Sequence, residues 1–257
     1  MTEPGAGPLG GGLLGPGLVG GGGGPSLPVS RWSRATVREV RRPGPGAVVL
    51  RLEVDDPAPR LPGQHYVVRL TADDGYRASR SYSVSSPPED AGVVELTVER
   101  LPDGEVSGYL AEGVEAGDEL EVRGPLGGWF VWDGERPALA VGGGSGVAPL
   151  VSMLRHARAT GHPDRVCLVA SARSLERLPY AEELVGGCRL VALSRETSPA
   201  GRPPGRLSAA DLEPFLRPGQ QVFVCGSAGF AEHASRLVVD LGVPPGDVRV
   251  ERFGPSG

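Results

Sequence analysis

The hydrophobic pattern changes period close to residue 136, and that change limits the chain to two-domain architectures. From Ser33 to about Trp132 the apolar residues fall in short runs of β-forming type, at 35–42, 47–54, 65–71, 80–85, 93–100 and 119–123. Gly, Pro and Asp turns separate them, and six such runs predict an antiparallel six-stranded β-barrel or sandwich. Beyond Arg136 the pattern alternates between apolar strands and amphipathic helices. Strands are predicted at 137–141, 165–170, 189–193, 221–225 and 247–252, with helices at 147–160, 179–185, 208–216 and 229–241. That alternation predicts an α/β domain with a five-stranded parallel sheet and helices on both faces. The predicted domains are therefore 29–135 and 136–257, and the 257 residues suffice for both.

The remaining 28 residues carry the run Gly20 to Gly24, several prolines and Glu3 as their one charge, a composition that predicts disorder. They lack a basic leader, and glycine dilutes Leu13, Leu14, Leu18 and Val19 too far for a secretion signal or a membrane span. A net charge of -5 offers no basic excess for nucleic acid, and 4 scattered histidines predict no metal site. Cys167, Cys188 and Cys225 are odd in number and have no CxxC spacing. They predict no disulfide framework, zinc site or iron–sulfur cluster, with Cys167 and Cys188 as small buried hydrophobes in a reducing cytoplasm.

Within the first domain the strand at 80–86 carries chemistry. Alternation sets Arg80 and Tyr82 on one face, and Pro87-Pro88 ends the strand abruptly. A guanidinium beside a flat ring suits a cofactor with phosphates and a planar ring system. A half-exposed strand with an unrelated cation fits the same pattern. Further on, Gly104 to Ser107 precede a short helix that Ser107 can cap, leaving N–H groups that attract an anion. A plain capped helix in a crossover is the other reading.

Four stretches of the second domain lie at predicted strand ends. Gly142 to Pro149 turns the first parallel strand into its helix, with Pro149 in the first helical turn. Its glycines and helix N-terminus suit a pyrophosphate, although it is neither a GxGxxG fingerprint nor a Walker A loop. Arg173 follows the second strand, where an arginine favours a ribose 2′-phosphate and an acid favours a bare hydroxyl. A solvated loop arginine would look the same. Cys225, Gly226 and Ser227 end the fourth strand, and Glu251 and Phe253 emerge two residues apart from the fifth.

Taken in order, these pieces resemble the ferredoxin reductase superfamily of two-domain flavoproteins. Its pattern is met at Arg80 to Ser83, Gly104 to Ser107, Gly124 to Trp129, Gly143 to Pro149, Cys225-Gly226 and Glu251 to Phe253. The resemblance implies that Arg80 holds the flavin phosphates, Tyr82 packs on the ring and Ser83 bonds near its reactive nitrogen. Gly104, Val106 and Ser107 complete the pyrophosphate site, and Ser81, His65, Val98 and Phe253 join the cofactor-binding set. Gly143, Gly144, Ser145, Gly146 and Pro149 hold the NAD(P)H pyrophosphate, while Arg173 and Ser174 read its ribose. Cys225, Gly226 and Ser227 border the nicotinamide, and Ser83, Cys225 and Glu251 form the catalytic set. The sequence Gly124-Pro-Leu-Gly-Gly-Trp-Phe130 leaves either Trp129 or Phe130 in the motif's aromatic place.

The implied activity takes hydride from NADPH or NADH onto FAD, with FMN the less favoured flavin. Single electrons then pass to a separate acceptor: a ferredoxin, an oxygenase component or a small molecule. A free flavin or ferric-chelate reductase is the alternative, and a non-catalytic nucleotide-binding regulatory module is a third.

Overall fold

The computed structural model describes residues 31–254, so the predicted disordered tail lies outside the described residues. The first domain contains β1 (Trp32–Gly44), β2 (Ala47–Val54), β3 (His65–Thr71), β4 (Arg77–Ser83), β5 (Val93–Glu99) and β6 (Glu119–Leu126). They form one antiparallel sheet in the order β4-β3-β6-β1-β2-β5. A bridge between Val84 and Leu96 brings the two edges together into a barrel. One helix, α1 (Glu105–Glu112), crosses between β5 and β6 and sends Val106 and Leu110 into the barrel core.

Alternation along β2 shows how that barrel meets its neighbour. Val48, Leu50 and Leu52 point inward to the barrel core, whereas Val49 packs into the core of the second domain. Each such side chain stabilises the fold by roughly 1.5–3 kcal/mol when fully buried. Between β6 and the next strand, Phe130 and Trp132 also pack into the second core, with Phe130 edge-on to Phe223 at 5.4 Å.

The second domain is a parallel sheet of β7 (Ala138–Gly143), β8 (Val166–Ala172), β9 (Arg189–Leu193), β10 (Gln221–Ser227) and β11 (Val248–Phe253), ordered β11-β10-β7-β8-β9. Its strands are buried on both faces, so they read as continuous apolar runs. Ala140, Leu168, Phe223 and Cys225 face α2 (Ala148–Ala159). Val141, Val169 and Val224 face α4 (Ala228–Asp240) and the short α3 (Ala209–Leu212). The helix expected over 179–185 is a single 3-10 turn, Ala181–Leu184. Tyr180 before it is left-handed at φ 62°, and Gly186 and Gly187 after it also have positive φ, so there is no room to propagate an α-helix.

The expectation of unpaired cysteines is corrected at two positions. Cys167 and Cys188 form a disulfide with their Cα atoms 4.8 Å apart, and Cys225 is the free thiol. The cause is sheet register: β8 pairs Leu168 with Arg189, which brings the preceding residues side by side. Closing a loop with a sequence separation of 21 stabilises the fold by about 3 kcal/mol in the chain-entropy account. Thiol titration of the unfolded chain is expected to find one thiol without reductant and three with it, and reductant should lower the denaturant midpoint. Three thiols without reductant would contradict the pairing. Among the described residues no helix is long and apolar enough to cross a membrane.

Candidate functional site

The end of β4 is built by its partners. Ser83 pairs with His65 and Tyr82 with Tyr66 across the β3 ladder, and Val84 N–H continues onto the Gln64 carbonyl. Tyr82 is half-buried against the barrel core, and burial pushes its phenol well above the ordinary value, so it stays neutral. Arg80 is exposed, and its guanidinium donates to the neighbouring Ser79 carbonyl at 2.8 Å. Ser83 is buried, while Ser81, two residues earlier on the same face of β4, is exposed. Burial lowers the His65 pKa, which keeps a neutral imidazole beside Ser83.

Helix α1 packs beside β4. Ser107, expected from the sequence to cap this helix, does not do so. Gly104 is the N-cap with no side-chain hydrogen bond, while the Ser107 hydroxyl donates to the Gly104 carbonyl at 3.2 Å and accepts from Leu101 N–H. A Cβ on Gly104 would fall 2.3 Å from the Ser107 oxygen, so the serine needs glycine there. No side chain caps the first-turn N–H groups of α1, and an anion can take them. Val98 and Val106 are core residues, so only their backbone can meet a ligand.

In the second domain the turn after β7 is tight against β10. A Cβ on Gly146 would fall 2.4 Å from the Cys225 carbonyl oxygen, and one on Gly143 would fall 2.6 Å from the Phe230 ring. Gly144, at φ 57°, has nothing within 4 Å of that position and leaves the backbone open to an incoming group. Pro149 occupies the first turn of α2, as the sequence indicated, and no side chain caps that helix. Ser145 donates to Glu99 at the end of β5 at 2.6 Å, which joins this turn to the barrel. Ser227 is committed as the cap of α4, accepting from Phe230 N–H.

Cys225 and Glu251 are register partners on β10 and β11, with sulfur and carboxylate oxygen 4.0 Å apart. Cys225 is fully buried, and burial and then Glu251 raise its pKa, so it stays a thiol. Burial pushes Glu251 up to about 7 from an ordinary 4.5. Phe253, one strand-step further, is half-buried against the same core. Arg173 and Ser174 stand apart from this group at the end of β8, on the far side of β7 from β10. There Arg173 is exposed, and Glu196 accepts from Leu175 N–H at 2.6 Å.

The Glu251 shift has a defined sign. Its folded pKa lies above its unfolded one, so ionisation costs nothing below about pH 4.5 and the full penalty above about 7. Glu251→Gln is expected to gain stability over the natural chain across that window, by up to about 3 kcal/mol. Denaturant midpoints at pH 5 and pH 8 check this, and an equal difference at both would contradict it.

The halves are joined by residues that carry no motif: Ser85, Glu95 and Thr97 from the barrel, and Ser152, Arg155 and Tyr180 from the parallel domain. They are buried or nearly so and hydrogen-bonded to one another. No local sequence signal marks them.

A barrel with an arginine–tyrosine strand and an open helix terminus, followed by a parallel domain with a glycine turn, defines a two-domain dinucleotide-dependent flavoprotein. Comparisons with known proteins agree. Residues 36–131 match the oxidoreductase FAD-binding domain and residues 140–236 the oxidoreductase NAD-binding domain. The chain belongs to the oxidoreductases that join an FAD-binding domain to an NAD-binding domain. It is 32% identical over 225 residues to the ferredoxin–NAD(P)+ reductase component of the naphthalene 1,2-dioxygenase/salicylate 5-hydroxylase systems of Ralstonia, with 81% of this chain and 65% of that protein covered. It is 29% identical over 225 residues to the propane 2-monooxygenase reductase component of Rhodococcus jostii, covering 80% of this chain and 59% of the relative. The chain thus spans less than two thirds of either relative. Among solved structures, the Amycolatopsis cytochrome P450 reductase superposes with a TM-score of 0.74 at 29% identity, covering 89% of this chain and 71% of that one. The FAD/NAD-binding domain of Vibrio cholerae nitric oxide dioxygenase shares the fold, with a TM-score of 0.76 at 23% identity over 87% of this chain and 99% of that one.

Proposed function

We propose that the chain is an NAD(P)H-dependent FAD reductase that delivers electrons to a separate redox partner. The observation that carries this reading is the Ser145–Glu99 hydrogen bond, which holds the glycine turn against the end of β5. It brings the element suited to a dinucleotide up to the strands suited to a flavin. When bound, FAD accepts two electrons as hydride from a nicotinamide and releases them one at a time.

The residues present fit both groups. Gly144 offers open backbone, and Arg80 offers a guanidinium engaged only with its neighbour's carbonyl among the bonds described. In this reading Arg80 and the α1 terminus hold the flavin phosphates, Tyr82 lies along the ring and His65, Ser81 and Ser83 line its edge. Gly143, Gly144, Ser145 and Gly146 hold the NAD(P)H pyrophosphate, and Arg173 with Ser174 receives the ribose and favours NADPH. Cys225, Gly226 and Ser227 border the nicotinamide, with Phe253 shielding the space above. Cys225 fills that space as a neutral thiol. Glu251, with a pKa near neutrality, can keep or release a proton there.

The acceptor is a separate ferredoxin or oxygenase component, on the strength of the Ralstonia and Rhodococcus relatives named as reductase components. A cytoplasmic location goes with this reading, because reduced nicotinamide nucleotides are held there; the cysteines no longer argue for a reducing compartment, since Cys167 and Cys188 are paired. Steady-state NADPH oxidation tests it with three acceptors: a [2Fe-2S] ferredoxin, riboflavin and ferric citrate. Turnover at least tenfold faster with the ferredoxin supports an electron-transfer reductase. Equal or faster turnover with riboflavin or ferric citrate would replace it with a small-molecule reductase.

A further inference from the structure

Between the two domains runs a chain of hydroxyl groups whose direction follows from counting protons. Tyr180 is 2% exposed, and its hydroxyl lies 2.7 Å from both Ser85 Oγ and Thr97 Oγ1. Ser85 Oγ is also 2.9 Å from Glu95 Oε1 and 3.1 Å from the Glu95 main-chain carbonyl, both of them acceptors. Glu95 is 7% exposed; burial alone would raise its pKa, but Arg155, Ser85 and Arg41 bring it below the ordinary value. It is therefore a carboxylate, which only accepts. Ser85 must spend its one proton on Glu95. The Ser85 oxygen then accepts from Tyr180, and Thr97 donates to Tyr180. The bonds run from Thr97 to Tyr180 to Ser85 to Glu95, and each hydroxyl donates once.

Two members of this relay sit beside the candidate site. Ser85 lies two residues past Ser83, and Thr97 precedes Val98 and the Glu99 that holds Ser145. Tyr180 enters from the other domain, after the loop that carries Arg173, and its left-handed backbone turns the ring into the junction. Ser152 on α2 adds a hydrogen bond to the Ser86 carbonyl at 2.8 Å. We propose that Tyr180 is a positioning residue for the reaction: through Ser85 and Thr97 it fixes where β4 and β5 stand relative to the nucleotide turn. The proposal rests on the reductase reading. Its physical basis is that a displacement of about 1 Å between reacting groups can cost 100-fold in rate.

Tyr180→Phe and Thr97→Val, singly and together in the full FAD-loaded chain, test it. Phenylalanine keeps the ring and removes the hydroxyl. Tyr180→Phe is expected to slow anaerobic bleaching of the flavin absorbance by NADPH by about 10- to 100-fold. The half-saturating NADPH concentration and the FAD content should hardly change. The double variant should be no slower than Tyr180→Phe, since both changes break one relay. Hydrogen exchange supplies a readout independent of turnover. The Ser85 and Glu95 amides, bonded to the Glu95 carbonyl and the Ser86 hydroxyl, should exchange faster in the variant while the β1–β2 ladder stays unchanged.

Faster exchange with an unaltered bleaching rate would make Tyr180 a structural tie only and overturn the proposal, as would unaltered exchange. Should Tyr180→Phe fail to fold, Thr97→Val alone decides by the same two readouts. Failure of the reductase reading is recognised separately, because the natural chain itself would not bleach with NADPH or NADH.

Discussion

Gly146→Ala is expected to weaken NAD(P)H binding by about 10- to 100-fold while leaving FAD in place. The added methyl would fall 2.4 Å from the Cys225 carbonyl oxygen and 2.7 Å from Gly226 Cα. Both neighbours are backbone, so neither can rotate away, and the turn must lift from β10. Overpacking of this kind costs roughly 1–3 kcal/mol, which is about one to two powers of ten in affinity. The barrel lies across the junction and does not feel the change directly. Saturation of flavin bleaching with NADPH measures the effect, and an unchanged half-saturation would show that the turn is not where the dinucleotide sits.

Arg155→Leu should destabilise the whole protein by about 3–5 kcal/mol, because it strips a buried carboxylate of its partner. Arg155 sits on α2 with 19% of its side chain exposed and spans the junction: Nη1 reaches Glu95 at 2.7 Å and the Ser85 carbonyl at 3.1 Å, while the other arm pairs with Glu183. Arg41, the remaining charged partner of Glu95, is 41% exposed and shares its charge with water, and the Ser85 hydroxyl brings no charge. Urea unfolding at neutral pH checks the prediction, and a loss below about 1 kcal/mol would mean the pair is solvated like a surface bridge. The sign with pH follows from the lowered Glu95 pKa. The carboxylate's stabilising share is present above its unfolded value and fades as the pH falls through its folded one.

The parts of this protein legible in sequence are those with a local cause. Alternation in β2 and β3 and the apolar runs of β9 and β10 carry their own period, so all were located within a residue or two. The glycine turn at 142–146 and Pro149 were legible because turn and helix-start chemistry is written in adjacent residues. What was not legible depends on contacts between distant segments. The bond between Cys167 and Cys188 follows from β8–β9 register rather than from spacing. Ser107 resembles a cap by composition, yet the helix begins two residues earlier and the hydroxyl turns back to Leu101 and Gly104. Tyr180 stops an expected helix because its hydroxyl is claimed by Ser85 and Thr97 of the other domain, a tertiary demand that overrides local propensity. Phe130, which the motif left undecided with Trp129, is buried on Phe223, and Trp129 stays 65% exposed.

The central claim is that the barrel holds FAD and the parallel domain brings a nicotinamide nucleotide to it. An anaerobic visible spectrum of the purified protein, recorded before and after NADPH and NADH in separate cuvettes, tests it most directly. The account predicts yellow absorbance that bleaches on addition, faster with NADPH if Arg173 reads a 2′-phosphate. A protein that stays colourless after FAD is supplied, or whose colour survives both nucleotides, would contradict it.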